Sequence, residues 1–127
     1  MSLRILLVDD EPLARQRLAR LLAEHNNYEI VAEAGNGQAA LDWLRQHKAD
    51  LVLLDIQMPG LTGLDVAEQL MDLLPSTAPR PAIIFCTAYD EYALNAFKVD
   101  AVDYLLKPIR KEDLSKALQK AQRWIEQ

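Results

Sequence analysis

A chain of 127 residues fits one domain, long enough to bury a core without disulfide or metal staples. Its formal charge of −5, from 14 basic and 19 acidic residues, argues against the domain itself binding nucleic acid. The single cysteine excludes an internal disulfide and suits a reducing compartment, and no apolar stretch approaches the ~18 residues of a membrane span. The N-terminal apolar run is short and ends in acid, unlike a signal peptide, so the cytoplasm is the expected location.

That first run, Leu3 to Val8, stops at Asp9-Asp10-Glu11. A helical stripe follows, with Ala14, Leu18, Leu21 and Leu22 on one face. The second run, Tyr28 to Ala34, leads through Gly35 and Gly37 into a shorter helical pattern over about 38–47. The third, Leu51 to Leu54, ends at Asp55. Thr62 and Asp65 then form a capping pair opening a helix that carries Ala67, Leu70, Met71 and Leu74. Pro75, Pro79 and Pro81 mark a loop. The fourth run, Ala82 to Cys86, encloses the cysteine as a small buried hydrophobe and gives way to Thr87. A second short helical pattern, about 90–99, precedes the fifth run, Val102 to Leu106, which ends at Lys107. The last helix places Leu114, Ala117, Leu118, Ala121 and Ile125 on one face.

The five runs are nearly continuous in apolar character, as strands covered on both faces are. Strand and helix alternating five times predicts a doubly wound α/β fold. A five-stranded parallel sheet would carry five helices on both faces, joined by right-handed crossovers.

In such a sheet, ligands bind beyond the carboxyl ends of the strands. Asp9, Asp10, Asp55, Thr87 and Lys107 all fall at those ends. The three aspartates would repel one another unless a cation neutralised them. An all-oxygen acidic cluster suits a hard ion such as Mg²⁺, whereas the histidines, His25 and His47, fall near helix ends at the opposite edge. With the charge screened, a carboxylate can attack phosphorus, Lys107 can face a phosphoryl oxygen and the Thr87 hydroxyl can donate to another.

Asp9-Asp10-Glu11-Pro12, Asp55-Ile56-Gln57-Met58-Pro59-Gly60, Thr87-Ala88 and Lys107-Pro108, in that order, resemble the receiver domains of two-component response regulators. The resemblance covers essentially the whole chain and implies the flavodoxin-like strand order 2-1-3-4-5. It further implies that Asp55 accepts the phosphoryl group from a sensor histidine kinase. Asp10 would ligate Mg²⁺ directly, Asp9 largely through water, and Gln57 through its backbone carbonyl. The Lys107–Pro108 bond would be cis. Tyr104, three residues before Lys107, stands where receivers carry a switch aromatic that turns inward as Thr87 moves; a half-buried strand aromatic is the alternative.

The surface that would respond comprises the fourth helix, fifth strand and fifth helix. Its mixed charges include Asp90, Glu91, Lys98, Asp100, Asp103, Arg110, Lys111, Lys116, Lys120 and Arg123, which suits a solvated face or a two-fold dimer. The stretches Thr87 to Phe97 and Val102 to Pro108 resemble receivers joined to LytTR-type DNA-binding domains. By that resemblance the chain is the N-terminal receiver of a longer transcription regulator whose DNA-binding domain is missing. Two rivals are a magnesium-dependent phosphohydrolase and an interaction module with a vestigial pocket. Gln57 stands where such a hydrolase places its second carboxylate, and every pocket residue is present, so neither is favoured.

Overall fold

The computed structural model describes residues 2–74, 79–88 and 100–126. In chain order these form β1 (Leu3–Val8), α1 (Pro12–Leu22), β2 (Tyr28–Ala34), α2 (Gly37–Gln46), β3 (Leu51–Leu54), α3 (Gly63–Leu73), β4 (Ala82–Thr87), β5 (Asp103–Leu106) and α4 (Lys111–Glu126). All strand pairs are parallel, in the order β2-β1-β3-β4-β5.

Each helix start has a local cause. Pro12 lies in the first turn of α1, where its fixed φ suits a helix and its missing N–H costs nothing. The Asn36 side chain accepts from Ala39 N–H to cap α2. Thr62 and Asp65 form a complete capping box on α3, as their spacing predicts.

Two apolar layers enclose the sheet. Leu6, Val8, Val52, Leu54 and Phe85 face α2 and α3, packing on Ala40, Leu41, Leu44, Val66, Ala67 and Leu70. Ile5, Leu7, Leu51, Leu53, Ile84 and Cys86 face α1 and α4, against Leu18, Leu22, Leu114, Ala117, Leu118 and Ala121. No described helix is long and apolar enough to cross a membrane.

Three expectations need correction. The described residues contain four helices, not five. The fourth helical pattern, about 90–99, lies outside the described residues; its place in the count rested on strand–helix alternation more than on an apolar stripe of its own. Burial on both faces holds for β3 and β4 and the inner part of β1, but not for β2 and β5, which are edge strands and largely part-exposed. Met71, placed on the apolar face of α3, is exposed.

Candidate functional site

Sheet register decides which side chains meet. Val8 aligns with Leu54, and Asp55 N–H donates to the Val8 carbonyl at 2.9 Å, so Asp9 and Asp55 leave neighbouring strands side by side. The chain leaves β1 toward β2 on one side and returns to β3 on the other, so this is the switch point of the sheet. On the far side of β3, β4 ends at Thr87, which pairs in register with Leu106 of β5. Lys107 N–H donates to the Thr87 carbonyl at 2.7 Å, which brings the lysine in from the β5 edge. The Lys107–Pro108 bond is cis. Thr87 is thus the last residue of β4 and not the first of the loop.

Asp9, Asp10 and Asp55 each offer a carboxylate oxygen, all within 4.8 Å of one another. Asp9 and Asp55 are buried and Asp10 is exposed. Lys107 Nζ stands 2.6 Å from Asp9 Oδ2, 3.5 Å from Asp55 Oδ2 and 3.9 Å from Glu11 Oε1. The other oxygen of Asp9 accepts from Glu11 N–H at 2.9 Å, and that of Asp55 from Gln57 N–H at 3.3 Å.

Burial pushes the Asp55 carboxyl up to about 6; Lys107 pulls it down, and the charge of Asp9 raises it further. Burial alone would lower the Lys107 ammonium, but its hydrogen bond to Asp9 and the charges of Asp55, Asp9 and Glu11 outweigh burial and hold it above its ordinary value. Cys86, next to this group in β4, is pushed by burial to about 12 and is not a nucleophile near neutral pH.

The Thr87 hydroxyl is the one fully buried side-chain polar atom among the described residues without a hydrogen-bond partner. An orphaned hydroxyl at 0% exposure costs stability unless something enters the pocket to accept from it. Three carboxylates within reach of one ion, all oxygen donors, suit Mg²⁺. The site therefore offers a hard-cation cluster beside a lysine and a free donor, which is what an anion carrying oxygens needs.

Tyr104 lies one step away. It pairs in register with Phe85, is part-buried, and packs on the sheet face that carries α2 and α3. His25 and His47 stand apart from the acidic cluster, near Ser115 and Trp43 respectively.

Two contributors are not legible as site residues in the sequence. Gly63 opens α3 so close to the Asp55 strand that a Cβ would stand 2.2 Å from the Asp55 carbonyl oxygen. Arg15 reads as a solvated helix charge, yet its guanidinium donates to the Asp9 carbonyl. Both depend on tertiary approach, and no local signal reveals either.

The response regulator receiver domain family matches residues 5–119. The positive alginate biosynthesis regulatory protein of Pseudomonas aeruginosa is 55% identical over 122 residues, covering 95% of this chain and 48% of that protein. The sensory transduction protein LytT of Bacillus subtilis is 46% identical over 118 residues, 93% of this chain and 47% of its own length. The chain thus spans about half the length of these relatives. Among solved structures, the response regulatory domain of mrkE from Klebsiella pneumoniae superposes with a TM-score of 0.86 at 36% identity, covering 97% of this chain and 98% of that one. TrrA from Thermotoga maritima, solved in complex with Mg²⁺–BeF, does so at 0.80 and 37%, covering 95% and 99%. With the 2-1-3-4-5 sheet and its acidic switch point, the chain belongs to the response regulator receiver domain family.

Proposed function

We propose that Asp55 is the phosphoacceptor of this receiver and that a sensor histidine kinase supplies the phosphoryl group. The observation that carries the reading is the Asp9, Asp10, Asp55 cluster faced by Lys107, with the unpaired Thr87 hydroxyl at the end of the neighbouring strand β4. Asp10 and Asp55 would ligate Mg²⁺ directly, Asp9 largely through water, and Gln57 through its backbone carbonyl. The Mg²⁺–BeF complex of TrrA supports that choice of ion. When bound, the ion screens the repulsion between the carboxylate and the phosphoryl oxygens.

An Asp55 oxygen attacks phosphorus, forming a new P–O bond as the donor's bond to phosphorus breaks. Lys107 contributes a point charge to a phosphoryl oxygen, and Thr87 donates its hydroxyl to another. Drawing Thr87 inward vacates space beside β5, and Tyr104 follows. The phosphate thereby biases a pre-existing two-state equilibrium, by no more than its differential affinity for the two states. The domain modifies itself and turns over no external substrate.

The output is proposed as phosphorylation-dependent homodimerisation through the surface of β5, α4 and the segment before them, controlling transcription in the cytoplasm. Asp103 pairs with Lys120 within the chain at 3.3 Å, so that pair is already satisfied in the monomer. Asp90, Glu91 and Lys98 of this surface lie outside the described residues. A LytTR-type DNA-binding domain joined to this receiver is supported by the relatives named LytT and by the half of their length that the chain spans.

Incubation with Mg²⁺ and acetyl phosphate tests the core of this reading by intact mass. Wild type should gain one phosphoryl group, and both EDTA and Asp55→Asn should abolish the gain. Undiminished labelling of Asp55→Asn would contradict the acceptor assignment, and labelling indifferent to EDTA would contradict the metal role.

A further inference from the structure

We propose that Arg15 is a positioning residue of the metal site: its guanidinium fixes the Asp9–Asp10 peptide and thereby the aim of the Asp10 carboxylate. The inference rests on the reading of Asp10 as a Mg²⁺ ligand.

Arg15 rises from the first turns of α1, behind the acidic loop. Its Nη1 donates to the Asp9 carbonyl at 2.5 Å, and its Nε donates to Glu33 Oε1 of β2 at 3.0 Å. The Arg15 side chain is 19% exposed, so most of the guanidinium is taken out of water to make these contacts. On the other side of the same residue, Asp9 N–H donates to the Ala34 carbonyl of β2 at 3.1 Å. Both main-chain groups of Asp9 are therefore held, one by the β2 backbone and one by a side chain that β2 itself orients.

A peptide unit is planar, so fixing the Asp9 carbonyl oxygen also fixes the direction of the Asp10 Cα. Asp9 has further support, because Glu11 N–H and Lys107 hold its carboxylate. Asp10 has none: it is exposed, and among the described residues its carboxylate has no hydrogen-bond partner. Its place within 4.8 Å of the other two aspartates is thus set by its backbone, and its backbone is set through Arg15. The planar guanidinium can serve a carbonyl and a carboxylate at once, which an ammonium cannot do in the same fixed geometry.

Electrostatics makes the opposite prediction, and this decides the test. A cation beside an acidic site repels Mg²⁺, so removing the Arg15 charge should tighten binding if charge were all that mattered. Positioning requires that binding weaken. Mg²⁺ is titrated calorimetrically into the 127-residue protein as wild type, Arg15→Gln, Arg15→Lys and Glu33→Gln. Circular dichroism in EDTA checks that each is folded. Arg15→Gln should bind Mg²⁺ on the order of tenfold more weakly than wild type. Arg15→Lys, which keeps the charge but not the planar fork, should recover only part of the loss; Glu33→Gln, which loosens the aim of Arg15 and also removes an anion, should weaken binding several-fold.

Equal or tighter binding by Arg15→Gln would overturn the proposal. Should that variant fail to fold, Arg15→Lys carries the test: it keeps the charge and loses only the planar fork, so unchanged affinity there would overturn the proposal. Failure of wild type to bind Mg²⁺, or full affinity in Asp10→Asn, would instead overturn the underlying metal-site reading.

Discussion

The ammonium of Lys107 lies 2.6 Å from Oδ2 of Asp9, closer than to any other carboxylate of the site. Asp9 is only 2% exposed, so this pair neutralises a charge that water cannot reach. It also ties up the lysine that phosphoryl binding would need. A cation held beside Asp9, with Asp9 reaching it largely through water, would compete with Lys107 for the charge of Asp9 and would free the lysine toward Asp55.

This competition predicts how Lys107→Met behaves. Without the ammonium, Asp9 and Asp55 repel one another in a buried setting. The variant should lose about 2 kcal/mol in EDTA, less than the ~3–5 kcal/mol of a fully buried pair because Lys107 is partly in water. Mg²⁺ should then raise its thermal midpoint by more than it raises that of wild type. Equal Mg²⁺-induced shifts in the two proteins would show that lysine and metal do not compete.

Titration of Asp55 gives the pH dependence. Its folded-state pKa is raised from the ordinary 3.8 to about 6, so between those values the folded protein binds more protons than the unfolded chain. Stability therefore falls as pH rises through this window, and the loss is complete above about pH 6. A shift of this size corresponds to about 3 kcal/mol. In EDTA near neutral pH, Asp55→Asn should be more stable than wild type by up to that amount. By about pH 4, where the wild-type carboxyl is protonated when folded, the gap should close. Urea unfolding at the two pH values measures it; a gap independent of pH would contradict the burial account.

How far the site could be read from the sequence depends on what each residue required. Asp9, Asp10, Asp55 and Lys107 were legible because apolar runs mark strand ends, and a parallel sheet gathers those ends on one edge. Thr62 and Asp65 were legible because a capping box is local. Edge burial of β2 left a trace, since Glu29 and Glu33 are exposed charges inside that run, although a one-residue register slip against β1 puts them on opposite faces. The Lys107–Asp9 pair, the Arg15 contact and the Gly63 approach left none. Each joins residues far apart in the chain or in packing, and side-chain aim is set only when the layers close.

Gly63→Ala separates helix propensity from close approach. Alanine at the start of α3 would by propensity alone stabilise the helix by a few tenths to ~1 kcal/mol. The Cβ, however, would stand 2.2 Å from the Asp55 carbonyl oxygen, which must give way. A net loss of about 1–3 kcal/mol in chemical denaturation is expected, with slower acetyl phosphate labelling as the Asp55 strand end is displaced. A more stable variant with normal labelling would show that the loop relaxes freely.

Thr87→Val replaces the orphaned hydroxyl by a methyl of the same shape. With no partner to lose, the substitution should stabilise the metal-free protein by about 1 kcal/mol, since a buried unpaired hydroxyl is itself a cost. Labelling by acetyl phosphate should nevertheless slow on the order of tenfold or more, because a donor to the phosphoryl group is gone. Opposite signs for stability and labelling are the signature; a parallel fall in both would mean that the hydroxyl is structurally engaged.

The central claim is that Asp55 itself carries the phosphoryl group. Borohydride reduces an aspartyl phosphate to homoserine, so trapping after acetyl phosphate and Mg²⁺ treatment, followed by peptide mass spectrometry, reads the acceptor directly. Conversion at position 55 alone, absent when EDTA is present, is the predicted result. Conversion at position 9 or 10, or stable phosphorylation elsewhere with position 55 untouched, would contradict it.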